Sequence, residues 1–343
     1  MGIKDVARLA GVSQGTVSHV LNHPDRVSPG KTAAVEAAIA QLGFVRNEPA
    51  RQLRAGYSNT VGLLLLDAWN PGFMDLARGV EDATAERGWT VLISNSGRDI
   101  NREQTYLRLF AEGRVAGLIV IPHDESADGL HRIRTGGIPV VVVDRAESGE
   151  HKLSVAVDDV TGGRDAARHL IELGHRHLAF VGDELTAAPV HDRLAGVRRA
   201  VDEAVGEGLD VRLEVIPAEL TVEAGREVGE RLAKLPAKRR PTAVTAAIDL
   251  LAFGVLQSLL SHGLRVPDDV SLMGYDDIPF ARQLSVSLTS VRRPHYEMGT
   301  TAAHLLTDVL TGATPQDRHV VFEPELVVRA STAAGPANYK EGT

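Results

Sequence analysis

The stretch that decides the amino-terminal fold is Ile3-Lys4-Asp5-Val6-Ala7-Arg8-Leu9-Ala10, then Gly11-Val12-Ser13, then Gln14-Gly15-Thr16-Val17-Ser18-His19-Val20-Leu21-Asn22. Ile3, Val6, Ala7 and Ala10 recur at helical spacing and form one apolar stripe of a short helix. Gly11 supplies a left-handed residue to end it, and Ser13 is an N-cap for a second helix. In that helix Val17, Val20 and Leu21 face inward, leaving Gln14, Gly15, Thr16, Ser18 and His19 outward. Two short helices joined by a glycine turn form a helix-turn-helix, whose second helix enters the DNA major groove. The pattern alone also fits a helical hairpin that merely packs on another surface.

A third helix is expected from Ser28-Pro29, with Val35, Ala38, Ile39 and Leu42 as its apolar stripe and Gly43 closing it. Charge favours the DNA-binding alternative. The whole chain of 343 residues carries −8, but residues 1–56 carry +3 and the remainder −11. Only the small first domain has the sign that phosphates attract.

This segment resembles the amino-terminal signature of the lactose-repressor/galactose-repressor (LacI/GalR) family of bacterial transcriptional regulators. The matching residues are Asp5-Val6-Ala7, Ala10-Gly11-Val12-Ser13 and Thr16-Val17-Ser18 followed by Val20-Leu21-Asn22. The resemblance implies a headpiece over residues 1–46, with DNA contacts from Ser13, Gln14, Gly15, Thr16, Ser18, His19, Asn22 and Ser28. Gln14 can pair with adenine, His19 can reach base or phosphate, and the hydroxyls suit either. Gly15 departs from the family, most of whose members carry a base-contacting side chain there. It either leaves room for DNA or is a neutral loss.

Residues 47–58 match the family's hinge helix through Ala50-Arg51 and Leu53. The resemblance implies that Leu53 wedges into the minor groove and that Arg51 lies against DNA. So short a helix is unstable alone, and the lesser alternative is a linker whose leucine packs on the core. Pro49 sits inside the expected helix, in the first turn, where proline is tolerated.

From Thr60 onward the chain alternates apolar runs with amphipathic stretches. The runs are 61–66, 90–93, 118–121, 140–143, 178–181, 243–247 and 270–273. Uninterrupted runs suit strands covered on both faces, hence parallel sheets with helical crossovers. Two such series predict a two-lobed α/β core, and ligands sit beyond the carboxyl ends of such strands. The expected partition is 59–156 with 289–318 for one lobe, 157–288 with 319–331 for the other, and 332–343 as a flexible tail.

Further motifs carry the resemblance along the core: Leu173-Gly174-His175, Arg193-Leu194-Ala195-Gly196, Val266-Pro267 with Asp269-Val270-Ser271, and Gly274-Tyr275-Asp276-Asp277. They imply a periplasmic-binding-protein-like core whose cleft binds a small effector. Arg193 and Asp276 are then its main polar ligands, Asp144 a hydroxyl ligand, and Phe73 and Leu220 apolar walls, with Trp69 a further ring face. The alternative is that Arg193 and Asp276 only bridge the lobes as an ion pair. A guanidinium and two carboxylates suit a polyhydroxylated ligand, so a sugar or polyol is expected before a nucleobase. Ile248 stands where sugar-responsive relatives often carry asparagine, which weakens a standard hexose assignment.

Enzyme motifs are missing: there is no phosphate-binding loop, no Gly-x-Ser-x-Gly elbow and no His-Glu-x-x-His. The adjacent pairs Asp158-Asp159, Asp268-Asp269 and Asp276-Asp277 point apart on extended chain and form no dyad by themselves. Neither His175 and His177 nor His191 has metal-ligand spacing, and no cysteine exists to form a disulfide or thiolate site. No cofactor or metal is expected. No apolar run approaches membrane length and no export signal precedes the headpiece, so the expected setting is cytoplasmic. A solute-binding protein would show the reverse. The expectation is a repressor without enzymatic activity. It binds a near-palindromic operator as a homodimer, and the tail lacks the leucine heptad of a tetramerising coiled coil.

Overall fold

The computed structural model describes residues 2–44, 58–123, 128–147, 149, 152–183 and 188–336. Arg51 and Leu53 of the expected hinge, the side chain of Asn22 and tail residues 337–343 lie outside the described residues. The chain divides into two compact units, residues 1–58 and 59–343.

Among the described residues, the first unit holds three α-helices that form a headpiece: α1 (Ile3–Ala10), α2 (Gln14–Asn22) and α3 (Pro29–Leu42). Gly2 donates its backbone N–H to the Asp5 carboxylate at 2.9 Å, closing the start of α1. Gly11 takes a left-handed φ of 66° and turns the chain toward Ser13. Val6, Ala7, Val17, Val20, Val35 and Ala38 form one small core, with Ile39 and Leu42 packed on it. Ser28 starts α3 with no side-chain capping bond. Its carbonyl instead accepts from Lys31 and Thr32, and Pro29 presets the first turn.

The second unit is two-lobed. Its first lobe is built from β1 (Thr60–Leu65), α4 (Pro71–Ala85), β2 (Thr90–Asn95), α5 (Ile100–Glu112), β3 (Gly117–Val120), α6 (Asp128–Thr135), β4 (Val140–Val143) and β5 (Leu153–Val157). The second lobe holds α7 (Asp159–Glu172), β6 (His177–Val181), α8 (Ala188–Gly206), β7 (Arg212–Ile216), α9 (Val222–Lys234), β8 (Ala243–Ala246), α10 (Asp249–Ser261), β9 (Ser271–Asp276) and β10 (Thr289–Arg292). The chain then returns to the first lobe as α11 (His295–Leu310) and β11 (His319–Phe322), and ends in the second with β12 (Glu325–Val327). The sheet orders are β11-β5-β4-β3-β1-β2 and β12-β10-β9-β8-β6-β7. Among the described residues every strand pairing is parallel except β10 with β12.

Two expected boundaries move. Residues 289–292 belong to the second lobe, because β10 pairs along β9 with Thr289 opposite Met273 and Val291 opposite Tyr275. Residues 319–322 belong to the first, because β11 completes its sheet beside β5. Residues 332–335 are not a free tail. The backbone N–H of Gly335 donates to Leu173 at 2.7 Å, and Thr332 meets His169 and Thr289 at 3.1 and 3.0 Å.

Close helix crossings set the geometry of both lobes. A Cβ on Gly163 of α7 would collide with the carbonyl oxygen of Arg193 on α8, and one on Gly196 with that of Val160. Glycine at both crossing points lets these backbones touch, and this contact brings the start of α7 against Arg193.

Candidate functional site

On the headpiece, Ser13 accepts from the backbone N–H of Thr16 at 3.1 Å and its hydroxyl meets the Thr16 hydroxyl at 2.9 Å. Both hydroxyls therefore hold the start of α2. Gln14, Gly15 and His19 are exposed on one face, with Thr16 and Ser18 half-buried beside them and Ser28 exposed ahead of α3. Val17 and Val20 lock the opposite face into the core. A rigid, exposed helix start of this kind presents polar groups to a groove and backbone N–H groups to phosphate.

In the two-lobed unit, the polar cluster sits where strands end. Asp144 follows β4 and Asp276 ends β9, and both adopt positive φ, 71° and 104°. Such backbone is costly for aspartate and is retained where surrounding contacts fix it. Arg193 and Asp276 are 3% and 2% exposed. They approach at 3.8 Å but lie in the same lobe, so they do not bridge the cleft as an ion pair. Arg193 is held by Asp159 at 2.9 Å, by the carbonyl of Ala247 at 2.6 Å, and over the Tyr275 ring at 3.9 Å from its centroid.

The bridge between lobes joins the expected Asp144 and Asp276 to Asn70 and Arg293, neither of which had been given a role. Asn70 caps α4 by accepting from Gly72 at 2.9 Å, and its amide donates across the cleft to Asp276 at 3.0 Å. Arg293, just past β10, pairs with Asp144 of the first lobe and lies 3.6 Å from Asp276 of the second. One carboxylate oxygen of Asp276, the Nε of Arg293 and the Nε2 of His295 are buried without a hydrogen-bond partner among the described residues. Asn70 ahead of Pro71 has only the local pattern of a helix start, and Arg293 follows a strand too short and polar to stand out in the sequence.

Phe73 is buried and meets His295 edge-on, with ring centroids 6.3 Å apart. Leu220 is buried in the core of the second lobe, and Ile248 belongs to the same core. Trp69 is 87% exposed and faces solvent rather than this cluster. Asp249 is buried and accepts from Ser290 at 2.7 Å and from the backbone of Ile278 at 2.8 Å.

Burial governs the ionisation of this cluster. It pushes the Asp276 carboxyl up to about 6, against the opposing pull of Arg193 and the Asn70 hydrogen bond. Burial also raises Asp159 despite Arg193 beside it. Asp249 is held well above the carboxylate range by burial and then by the charge of Asp276. Burial and the Arg293 charge hold His295 well below the usual histidine range, so its ring is neutral. For Arg193, burial opposes the charge, but Asp159 and Asp276 outweigh it and the guanidinium stays protonated. The result is a water-poor junction of alternating carboxylates and guanidiniums. Such a junction can exchange its internal contacts for hydroxyl donors and acceptors of a ligand.

Among the described residues no group of His, Asp and Glu is arranged to hold a metal ion. No described helix is long and apolar enough to cross a membrane.

Comparison with known proteins gives two family matches. Residues 2–47 match bacterial regulatory proteins of the lacI family, and residues 167–332 match the periplasmic binding protein-like domain. The HTH-type transcriptional repressor PurR of Erwinia tasmaniensis is 35% identical over 342 residues, covering 97% of each chain. Among solved structures, a LacI family transcriptional regulator from Enterococcus faecium with bound ribose is similar with a TM-score of 0.72 and 30% identity, over 80% of this chain and 99% of that one. The lac repressor dimer bound to operator and the anti-inducer ONPF is similar with a TM-score of 0.78 and 25% identity, over 97% and 99%.

Proposed function

Since the chain belongs to the lacI family of bacterial regulatory proteins, we propose that it is a repressor whose operator affinity is set by a neutral sugar or related polyol bound between its core lobes. The observation that carries this reading is the junction of Asp144, Arg293, Asp276, Asn70 and Arg193 at the strand ends of both lobes. Carboxylates and guanidiniums together can satisfy each hydroxyl as donor and as acceptor. The ribose held by the Enterococcus faecium regulator supports that chemistry.

The site binds rather than reacts, with Phe73 against His295 as an apolar neighbour and Leu220 kept as an apolar wall by its sequence match alone. The headpiece reads one half of a near-palindromic operator through Ser13, Gln14, Gly15, Thr16, Ser18, His19, Asn22 and Ser28. One short helix covers few base pairs, so a homodimer reading two half-sites is expected. Arg51 and Leu53 are assigned to the hinge by their sequence match alone. For the domain partition, the headpiece 1–46 and hinge 47–58 rest on the sequence alone, and the strand pairing supports two lobes exchanged after residues 157, 292 and 322.

The test is a thermal-shift screen of sugars, polyols and nucleobases against the full chain. A ligand at about 100 times its dissociation constant stabilises the bound form by roughly 2.7 kcal/mol. A neutral sugar or polyol should raise the melting temperature and change operator affinity. A response confined to nucleobases would reject the effector class.

A further inference from the structure

The outward face of α2 contains a reading unit made of two residues. The ring Nδ1 of His19 lies 2.9 Å from the carbonyl oxygen of Gly15, one turn earlier. A carbonyl can only accept, so Nδ1 carries the proton in this contact. In the neutral ring the other nitrogen, Nε2, is then a bare acceptor. His19 and Gly15 are both exposed on the face opposite the buried Val17 and Val20.

Gly15 itself is not demanded by helix packing. A Cβ there would meet only the Ser13 hydroxyl, at 3.6 Å, an ordinary contact. Its φ is not in the left-handed region, and glycine inside a helix costs about 1 kcal/mol relative to alanine. What it gives is clear space: side chains on a helix lean back over the preceding turn, and residue 15 places no long side chain on the groove-facing surface beside the histidine ring.

We propose that His19, tautomerically fixed by the Gly15 carbonyl, reads an exocyclic amino group in the major groove through Nε2, and so selects cytosine or adenine over guanine or thymine on the strand it faces. The amino groups at cytosine N4 and adenine N6 are the donors available there. Guanine O6 and N7 and thymine O4 would set acceptor against acceptor. This rests on the headpiece being the DNA-reading element and adds which atom reads and which bases it tolerates.

The experiment selects an operator from a random duplex library with the full chain, then measures affinity for duplexes changed at single positions. The wild type should lose about tenfold when one cytosine or adenine in each half-site becomes guanine or thymine, and little on exchange between those two amino-bearing bases. His19→Ala should flatten that position alone. His19→Arg, a pure donor, should turn the preference toward guanine, which presents two acceptors. Gly15→Ala keeps the carbonyl and should keep the preference. If His19→Ala weakens all duplexes equally, or if the position it flattens prefers guanine or thymine in the wild type, the proposal is overturned. Failure to select any sequence would overturn the DNA-reading assignment and this inference with it.

Discussion

Asn70→Asp separates two roles that one side chain performs. The replacement keeps an oxygen to accept from Gly72 and so preserves the start of α4, a cap worth about 1 kcal/mol. It replaces the amide donor to Asp276 with a second carboxylate at the 3.0 Å contact. The direct Coulomb term for two charges at that separation is about 5 kcal/mol at an effective dielectric constant near 20. Protonation caps that cost. With Asp276 already pushed up to about 6, taking a proton near pH 7.5 costs roughly 2 kcal/mol. Adding the lost charge-assisted bond, about 1.5–3 kcal/mol, gives a penalty on lobe contact of roughly 4 kcal/mol. The sign with pH follows: near pH 5 Asp276 is protonated in both proteins and can share its proton, so the defect should shrink. Small-angle scattering on the full chain should show a wider separation of the lobes at the higher pH, and the effector should bind at least a hundredfold more weakly than to wild type. Unchanged scattering and unchanged ligand affinity at both pH values would refute the bridge. Asn70→Ala serves as the control that also loses the cap.

Gly163→Ala should push α8 away from α7 and misplace Arg193, lowering effector affinity without affecting operator binding; titration calorimetry and operator gel shift check the two halves. Asp276→Asn should remove a pH dependence of stability. Because the folded-state carboxyl titrates near 6, above its unfolded value, its proton-linked stability is present at low pH and is lost as pH rises through 6. The wild type should therefore lose on the order of 2–3 kcal/mol relative to the variant between about pH 4 and pH 7 in denaturant unfolding. Gln14→Ala should relax preference at one base pair per half-site by about 1–3 kcal/mol, measured by competition among duplexes; equal loss on random DNA would deny it a reading role.

The headpiece was legible because each device is local. Gly11 and Ser13 lie between the two helices, and Val6, Ala7, Val17 and Val20, all within residues 6–20, belong to the observed core. The strands ending at Asp144 and Asp276 were legible because fully buried parallel strands are unbroken apolar runs. β10 escaped because Thr289-Ser290-Val291-Arg292 shows neither a run nor an alternation, and its burial comes from neighbours distant in sequence. Missing it misplaced one crossing between the lobes and hid Arg293, while the other moved boundary follows from β11 joining β5. Asn70 preceding Pro71 carried the signature of a helix start, and nothing local marks a second bond reaching 206 residues along the chain. In Asp158-Asp159 the adjacent carboxylates do diverge as expected: Asp158 caps α7 through Thr161, and Asp159 turns to Arg193.

The most direct test of the account is operator titration by fluorescence anisotropy, with and without the neutral sugar or polyol that stabilises the wild type, repeated for Arg193→Ala and Asp276→Ala. The wild type should change operator affinity on adding the ligand, and operator occupancy should change ligand affinity by the same factor. Both variants should still bind operator, because the headpiece core is separate, yet show no ligand effect. A full ligand response in both variants would contradict the assignment of the effector to this cleft.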